Sequence, residues 1–393
     1  MQMRSDLLTR TISILDRLIG FPTVSADSNL ELISFAATLL REAGAQVTVS
    51  KDATGKKANL FATIGPNVSG GIVLSGHTDV VPADPVEWAC NPYQMREEGG
   101  LLYGRGSCDM KGYIAAVLAK SQDYALLDLK RPLHVALTYD EEVGCFGARH
   151  LVEELKRSDI RPSVAIIGEP TEMRVIEGHK GCYEYTTAFH GTDGHASEPD
   201  KGVNAIHVAA AFITRMMELA ETMKDKSGPD SERYSPPWTT LQVGRIDGGS
   251  ARNVIARHCA VEWEMRPVRM QDALQIKSAL EAYCQDVLLP QMTSVYPDAE
   301  IVTEIIGEVA GLAVMPENEA RDIVTSLTGA NLCDVVSFGT EAGLFQALGL
   351  SVVVCGPGSI AQAHKPDEYL AVDQLDKCLD MLTGLERTLL QAS

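Results

Sequence analysis

Disulfide-type cysteine spacing is missing from this chain. Its nine cysteines include no C-x-x-C pair, and an odd number cannot all be bridged within one chain. That excludes a disulfide scaffold and fits reduced thiols in the cytosol. Positive charge is also short: 34 Lys and Arg stand against 53 Asp and Glu, a formal net charge of -19. Phosphate binding needs clustered Lys and Arg whose contacts release counterions, so nucleic acid is excluded as a partner. Long apolar runs are absent as well, since none approaches the roughly 20 residues that a membrane span requires. The opening segment MQMRSDLLTRTISILDRLIGFPTVS interrupts its apolar positions with Asp6, Arg10, Asp16 and Arg17. It reads as an amphipathic helix and not as a secretory signal. No internal repeat or low-complexity tract is visible. The expectation is a cytoplasmic globular protein that uses neither membrane nor nucleic acid.

What is present is enough apolar material for a large core: 393 residues, 45% of them hydrophobic, in a size range that suggests about two to three domains. Helical periodicity appears at Asp6–Ile19 and Asn29–Ala43, the second stopped by Gly44, which accepts the left-handed conformation after a helix. Short β-rich runs at Asn59–Ile64, Gly71–Ser75, Leu133–Tyr139 and Val164–Ile167 alternate with helical segments at Tyr113–Lys120 and Gly147–Lys156. Such alternation indicates an α/β sheet covered on both faces. After Gly178 the texture changes. A strand at Cys182–His190, a long helix at Val203–Met223, strands at Thr239–Ile246 and His258–Arg266, a helix near Asp272–Leu289 and a strand near Glu300–Glu308 give the order βαββαβ. That order predicts a small α+β domain with one open sheet. The α/β rhythm resumes at Pro316 and ends in a helix from Val372. The organisation is one domain, residues 1–179 and 309–393, interrupted by an insertion at 180–308.

Polar residues gather where apolar strands stop. SGHTDVVP places His77 and Asp79 two apart, so both project to one face if strand geometry continues, and a carboxylate beside an imidazole can fix its tautomer for metal binding. Read alone, the pair also fits a polar strand end. LYGRGSCDMKG sets Asp109 in a glycine-rich turn before a helix, where an N-cap is an equal reading. A dinucleotide site is excluded there, because no strand leads directly into the glycines and no third Gly follows at the required spacing. TYDEEVG carries Glu141 and Glu142; neighbouring side chains alternate in direction, so the two take different jobs unless the chain turns. IIGEPT adds Glu169 and GPGSIAQAHKPDEY adds His364. In open α/β sheets ligands gather at the carboxyl ends of strands, so these segments converge on one rim. Two histidines among carboxylates suit Zn²⁺, Co²⁺ or Mn²⁺ better than Ca²⁺ or Mg²⁺. Two divalent cations bring four positive charges against three from Asp109, Glu142 and Glu169, and a bridging hydroxide balances the rest.

Taken together, SGHTDVVP, YGRGSCDMKG, TYDEEVGC, GEPT, EGHKG, GTDGHAS, TEAG and GPGSIAQAHKPDEYL resemble, in order over about residues 70–370, the acetylornithine deacetylases. These are part of a wider family of two-metal deacylases and peptidases that includes succinyl-diaminopimelate desuccinylase, aminoacylase and carboxypeptidase G. The resemblance implies a metallopeptidase-like catalytic domain with a central mixed sheet flanked by helices, interrupted by a lid and dimerisation domain. It implies two divalent metal ions, Zn²⁺ first and Co²⁺ as the alternative. One would be held by His77, Asp109 and Glu169, the other by the shared Asp109 with Glu142 and His364. It further implies Glu141 as general base, Asp79 as the partner that orients His77, and a cis peptide at Asp109–Met110. His195 would reach the partner subunit's site and hold the oxyanion. Asn253 and Arg266 would bind the substrate carboxylate, and Glu341 of TEAG would help select a substrate cation or, equally, support the site from behind its ligands. Relatives often carry Pro where Ala256 stands. The activity implied is hydrolysis of the acetyl amide of N²-acetyl-L-ornithine by a homodimer. Alternatives are another N-acyl-amino-acid deacylase, a dipeptidase, or a metal-free binding or scaffold relative. His134, His150, His179, His190, His207 and His258 lack motif support and read as core or surface residues, and Cys108 and Cys145 as packing residues.

Overall fold

The computed structural model describes residues 5–228 and 231–391. It divides into two compact units, one formed by Met1–Gly178, Val314–Asp334 and Thr340–Ser393, the other by His179–Ala313 with Val335–Gly339. The exit from the second unit therefore lies at Ala313 and not at 308. The reason is local: His179 N–H donates to the Leu312 carbonyl at 3.0 Å, which draws residues beyond the last strand back to the unit's own entry. Val335–Gly339 joins the same unit through Lys180 N–H, which donates to the Val336 carbonyl.

The first unit is built on an eight-stranded sheet that begins, in order, with Gln46–Lys51, Ala58–Ile64, Leu133–Thr138, Gly71–His77, Pro162–Pro170 and Ser351–Gly356. The last four of these run parallel, and the first two are antiparallel additions, so the sheet is mixed. Gly71–His77 and Leu133–Thr138 are buried along their whole length, as strands covered on both faces must be. The covering helices include Asp6–Ile19, Leu30–Glu42, Gly112–Tyr124, Phe146–Arg157, Glu319–Thr328 and Val372–Leu389. Asp6–Ile19 begins where the Ser5 hydroxyl accepts the Leu8 N–H at 3.1 Å, and Gly44, at φ +87°, follows the end of Leu30–Glu42. A small sheet of Tyr369–Ala371, Leu101–Tyr103 and Arg96–Glu98 was not legible in the sequence, because three-residue strands carry no periodicity. Since the four parallel strands share one direction, their carboxyl ends share one rim, and every expected metal ligand lies there or just beyond it.

The second unit is a four-stranded antiparallel sheet in the order Thr240–Gly248, His258–Arg266, Cys182–His190, Glu300–Val309, with helices Ala205–Lys224 and Met270–Tyr283. Burial alternates residue by residue along Cys182–His190, the signature of a sheet with one face packed and one open. Tyr185 stacks on Trp263 on the packed side, and Phe212 of the long helix meets both Phe189 and Trp263. Among the described residues no helix is long and apolar enough to cross a membrane.

Candidate metal centre

His77 is the last residue of its strand and is 1% exposed. Its Nδ1 lies 2.9 Å from the main-chain oxygen of Asp79 and 3.6 Å from the Asp79 Oδ1. The tautomer is thus fixed more closely by the Asp79 carbonyl than by its carboxylate, and Nε2 is left facing the rim. There it meets Asp109 Oδ1 at 3.1 Å and Glu169 Oε1 at 3.7 Å. The Asp79 carboxylate does something the sequence did not reveal. Its Oδ1 accepts the Glu141 N–H at 3.1 Å, while its Oδ2 accepts the Glu142 N–H at 3.3 Å and the Ser25 hydroxyl at 2.8 Å.

The turn required of the paired glutamates exists. Asp140 and Cys145 take left-handed conformations, φ +55° and +56°, on either side of them. Atoms of His77, Glu141 and Glu169 come within 4.8 Å of one another, and so do atoms of His77, Asp109 and Glu142, so both glutamates face the same rim. Asp109 is not an N-cap: the helix starts at Gly112 without a side-chain cap, and the Asp109 side chain points to the two histidines. The peptide Asp109–Met110 is cis. Gly106, at φ +78°, shapes the preceding turn, and a Cβ there would stand 2.7 Å from Val80. Across the rim His364 Nε2 lies 3.0 Å from Glu142 Oε2 and 3.5 Å from Asp109 Oδ2. The two oxygens of Asp109 therefore part company, Oδ1 toward His77 and Glu169, Oδ2 toward His364 and Glu142.

The electrostatics of this cluster are those of a site short of positive charge. Burial pushes the carboxyls of Glu141, Glu142 and Glu169 upward, and their carboxylate neighbours add to it. For Asp109 burial acts the same way, but bonds from His364 and His77 outweigh it and hold the group below its usual range. Burial opposes a charge on His77, yet its bonds to Asp109 and Asp79 and the nearby Glu169 raise it well above normal; bonds to Asp109 and Glu142 carry His364 up to about 10. Glu169 Oε1 is buried with no hydrogen-bond partner. An orphaned carboxylate oxygen among two imidazoles and further carboxylates is a donor set that fits a divalent cation of the zinc type.

Glu341 is bonded as a supporting partner would be. It is 1% exposed, and its two oxygens accept hydroxyls from Ser75 at 2.5 Å and Thr138 at 2.7 Å, on the ends of two parallel strands. With a hydroxyl on each oxygen it braces the strand ends from inside the protein. His195, Asn253 and Arg266 belong to the second unit. His195 and Asn253 are exposed on adjoining loops, joined where Ala196 N–H donates to the Asn253 carbonyl at 3.1 Å. His195 Nδ1 lies 2.6 Å from the Ser197 hydroxyl. Arg266 forms a two-pronged pair with Glu264, at 2.6 and 3.0 Å. Ala256 is buried and its carbonyl accepts the Ala205 N–H.

Known proteins resemble this chain in sequence and in fold. Residues 73–387 match the family described as Peptidase family M20/M25/M40. An acetylornithine deacetylase of Shigella sonnei (strain Ss046) is 36% identical over 366 residues, spanning 91% of this chain and 92% of the relative. Among solved structures, an M20 family metallo-carboxypeptidase from Sulfolobus solfataricus superposes with a TM-score of 0.75 at 18% identity, covering 98% of this chain and 99% of its own. A tripeptidase from Staphylococcus aureus gives 0.74 at 20% identity, with 97% and 98% covered. The rim of convergent ligands, the mixed sheet that creates it and a match over most of the sequence lead to one assignment: the chain belongs to peptidase family M20/M25/M40.

Proposed function

We propose that the protein hydrolyses the acetyl amide of N²-acetyl-L-ornithine, giving acetate and L-ornithine, as a step of arginine biosynthesis in the cytoplasm. One observation carries metal-dependent hydrolysis: the two oxygens of Asp109 divide between the two histidines, as they would in a carboxylate that bridges two cations with one oxygen on each. His77, Asp109 and Glu169 would hold one ion and Asp109, Glu142 and His364 the other, with Zn²⁺ favoured by the mixed nitrogen and oxygen donors and Co²⁺ the alternative. When bound, such a pair supplies Lewis-acid polarisation of the scissile carbonyl and lowers the pKa of the attacking water. Glu141 takes the water proton and hands it to the leaving amine, a role suited to a carboxyl that burial pushes upward. Asp79 fixes the aim of Glu141 and Glu142 through their own N–H groups.

The choice of substrate is supported by the acetylornithine deacetylase relative, which matches at 36% identity over nearly the whole chain. Asn253 and Arg266 are proposed to receive the substrate carboxylate, which requires Arg266 to turn from Glu264. His195 is proposed to hold the developing oxyanion in the partner's site of a homodimer, a state that sedimentation tests directly. Nine free thiols are in keeping with a reducing compartment. The deciding experiment is a panel of acylated amino acids and dipeptides with the metal-reconstituted protein. N²-acetyl-L-ornithine should give the highest kcat/KM; a dipeptide or another acyl-amino acid in first place would overturn the substrate assignment and leave the hydrolytic centre intact.

A further inference from the structure

In the segment HKPDEYL the residue after Asp367 has no role from motif reasoning, yet it is one of the most completely bonded side chains in the first unit. Glu368 is 1% exposed. Its Oε1 accepts the N–H groups of Cys108 and Asp109 at 2.8 and 3.0 Å, and its Oε2 accepts the Gly106 N–H at 2.9 Å and Arg105 Nη1 at 2.8 Å. Its main-chain oxygen takes the Gly104 N–H at 3.0 Å and the Ser107 hydroxyl at 3.4 Å. Each of these donors comes from residues 104–109, the irregular stretch that delivers Asp109. That stretch is neither strand nor regular α-helix, so its buried N–H groups need an acceptor from elsewhere. A carboxylate with two acceptors at each end, and no donor, matches that need.

Arg105 extends the connection. Beyond Glu368 it reaches the carbonyls of Lys365 at 3.4 Å and Pro82 at 3.3 Å, and its guanidinium lies 5.2 Å from the centre of the Trp88 ring. Lys365 follows His364 directly. The pair Arg105–Glu368 thus ties the loop of Asp109 to the loop of His364, on the side of the rim where Asp109 Oδ2, Glu142 and His364 meet.

We infer that Glu368, with Arg105, is a positioning residue that sets Asp109 against His364 and so determines affinity for the second metal ion. The inference rests on the proposal that Asp109 and His364 are metal ligands. In Glu368→Gln the amide nitrogen must face either Gly106 N–H and Arg105 or the N–H groups of Cys108 and Asp109, so two donors meet a donor and the loop has to move.

The test is Co²⁺ titration of the chelator-stripped full chain, followed by its visible absorption. The wild type should take up two equivalents. Glu368→Gln should bind one of them about 10- to 100-fold more weakly, with altered absorption of that equivalent, the range found when a partner of a metal ligand is removed. On the loaded enzyme kcat should fall and KM hold. Because the single change leaves Arg105 buried without its counter-charge, a double variant, Glu368→Gln with Arg105→Gln, removes both charges together. It should fold and still bind the second Co²⁺ weakly. Wild-type affinity in the folded double variant would overturn the inference, reducing Glu368 to a counter-charge for Arg105. A wild type that binds fewer than two equivalents would instead refute the two-metal site itself.

Discussion

Two regions of buried carboxylate lie side by side at the rim of the main sheet. The outer one is a collar of Asp79, Glu341 and Glu368; the inner one is the cluster of Asp109, Glu141, Glu142 and Glu169. They differ in hydrogen-bond donors. In the collar the protein supplies them: a hydroxyl and two N–H groups for Asp79, two hydroxyls for Glu341, three N–H groups and a guanidinium for Glu368. In the cluster the donors are fewer and uneven. His77 and His364 reach Asp109 and His364 reaches Glu142, whereas Glu169 Oε1 accepts no hydrogen bond and the side chain of Glu141 is met, among the described residues, by a thiol contact from Cys145 at 3.7 Å. Burying a carboxylate costs several kcal/mol unless it is bonded or paired. The collar meets that cost with donors and becomes rigid. Glu141 and Glu169 leave it largely unmet, and a bound cation would meet it.

The comparison breaks most visibly at Glu141. If Glu141 is reactive because it lacks strong donors, Glu141→Gln should retain two bound metal ions and lose about 10²- to 10⁴-fold in kcat, the usual contribution of a positioned general base. Metal content and kcat must be measured on the same sample. Near-normal kcat at full occupancy would remove Glu141 from proton transfer.

The cluster's residues, with Asp79 and Glu341 of the collar, could be picked out in the sequence, whereas Glu368 and the bonds that make the collar could not, for a physical reason. His77, Asp109, Glu141, Glu142, Glu169 and His364 each sit at the end of a strand or in a short conspicuous segment, so apolar periodicity marks where they project. Collar partners are far apart in the chain: Ser25 with Asp79, Ser75 and Thr138 with Glu341, Arg105 with Glu368. Nothing in local spacing ties them together. The fold shows the same division. Long strands and helices, and the βαββαβ order of the second unit, could be read from periodicity, whereas the three-residue strands around Tyr103 and Tyr369 and the excursion of Val335–Gly339 into the second unit depend on tertiary pairing.

Histidines repeat the contrast with smaller consequences. His77 and His364 face carboxylates and are shifted upward, whereas His134 and His179 are buried and shifted down to about 4 by burial. His134 stacks on Phe61 with Nδ1 2.9 Å from the Thr63 hydroxyl, and His179 Nδ1 lies 2.8 Å from the Lys180 carbonyl. Their folded pKa lies below the unfolded value of about 6.5, so the unfolded chain binds more protons below that pH. Stability is therefore lost as pH falls from about 6.5 toward 4, by about 2 kcal/mol per histidine at pH 5. Urea unfolding across this window should show His134→Gln and His179→Gln each flattening the acid slope relative to wild type, His134 in the first unit and His179 in the second. A variant curve parallel to wild type would mean that the histidine is as easily protonated folded as unfolded.

The smallest expected effect is also the sharpest test of where the collar ends. The sequence left Glu341 two places, choosing a cationic side chain or supporting the site, and Ser75 and Thr138 each bond one of its oxygens. A collar residue should influence rate through the strand ends it braces and leave discrimination between substrates alone. In Glu341→Gln the amide oxygen can still accept one hydroxyl and the amide nitrogen can donate to the other, because a hydroxyl rotates to serve as donor or acceptor. The arrangement at the strand ends should then persist. The ratio of kcat/KM for N²-acetyl-L-ornithine over an uncharged acetyl-amino acid of similar length should equal that of wild type, even where both values fall together. A loss of attraction for the δ-ammonium would affect only the cationic substrate, so a ratio that drops while the uncharged substrate is unaffected would return Glu341 to the substrate pocket.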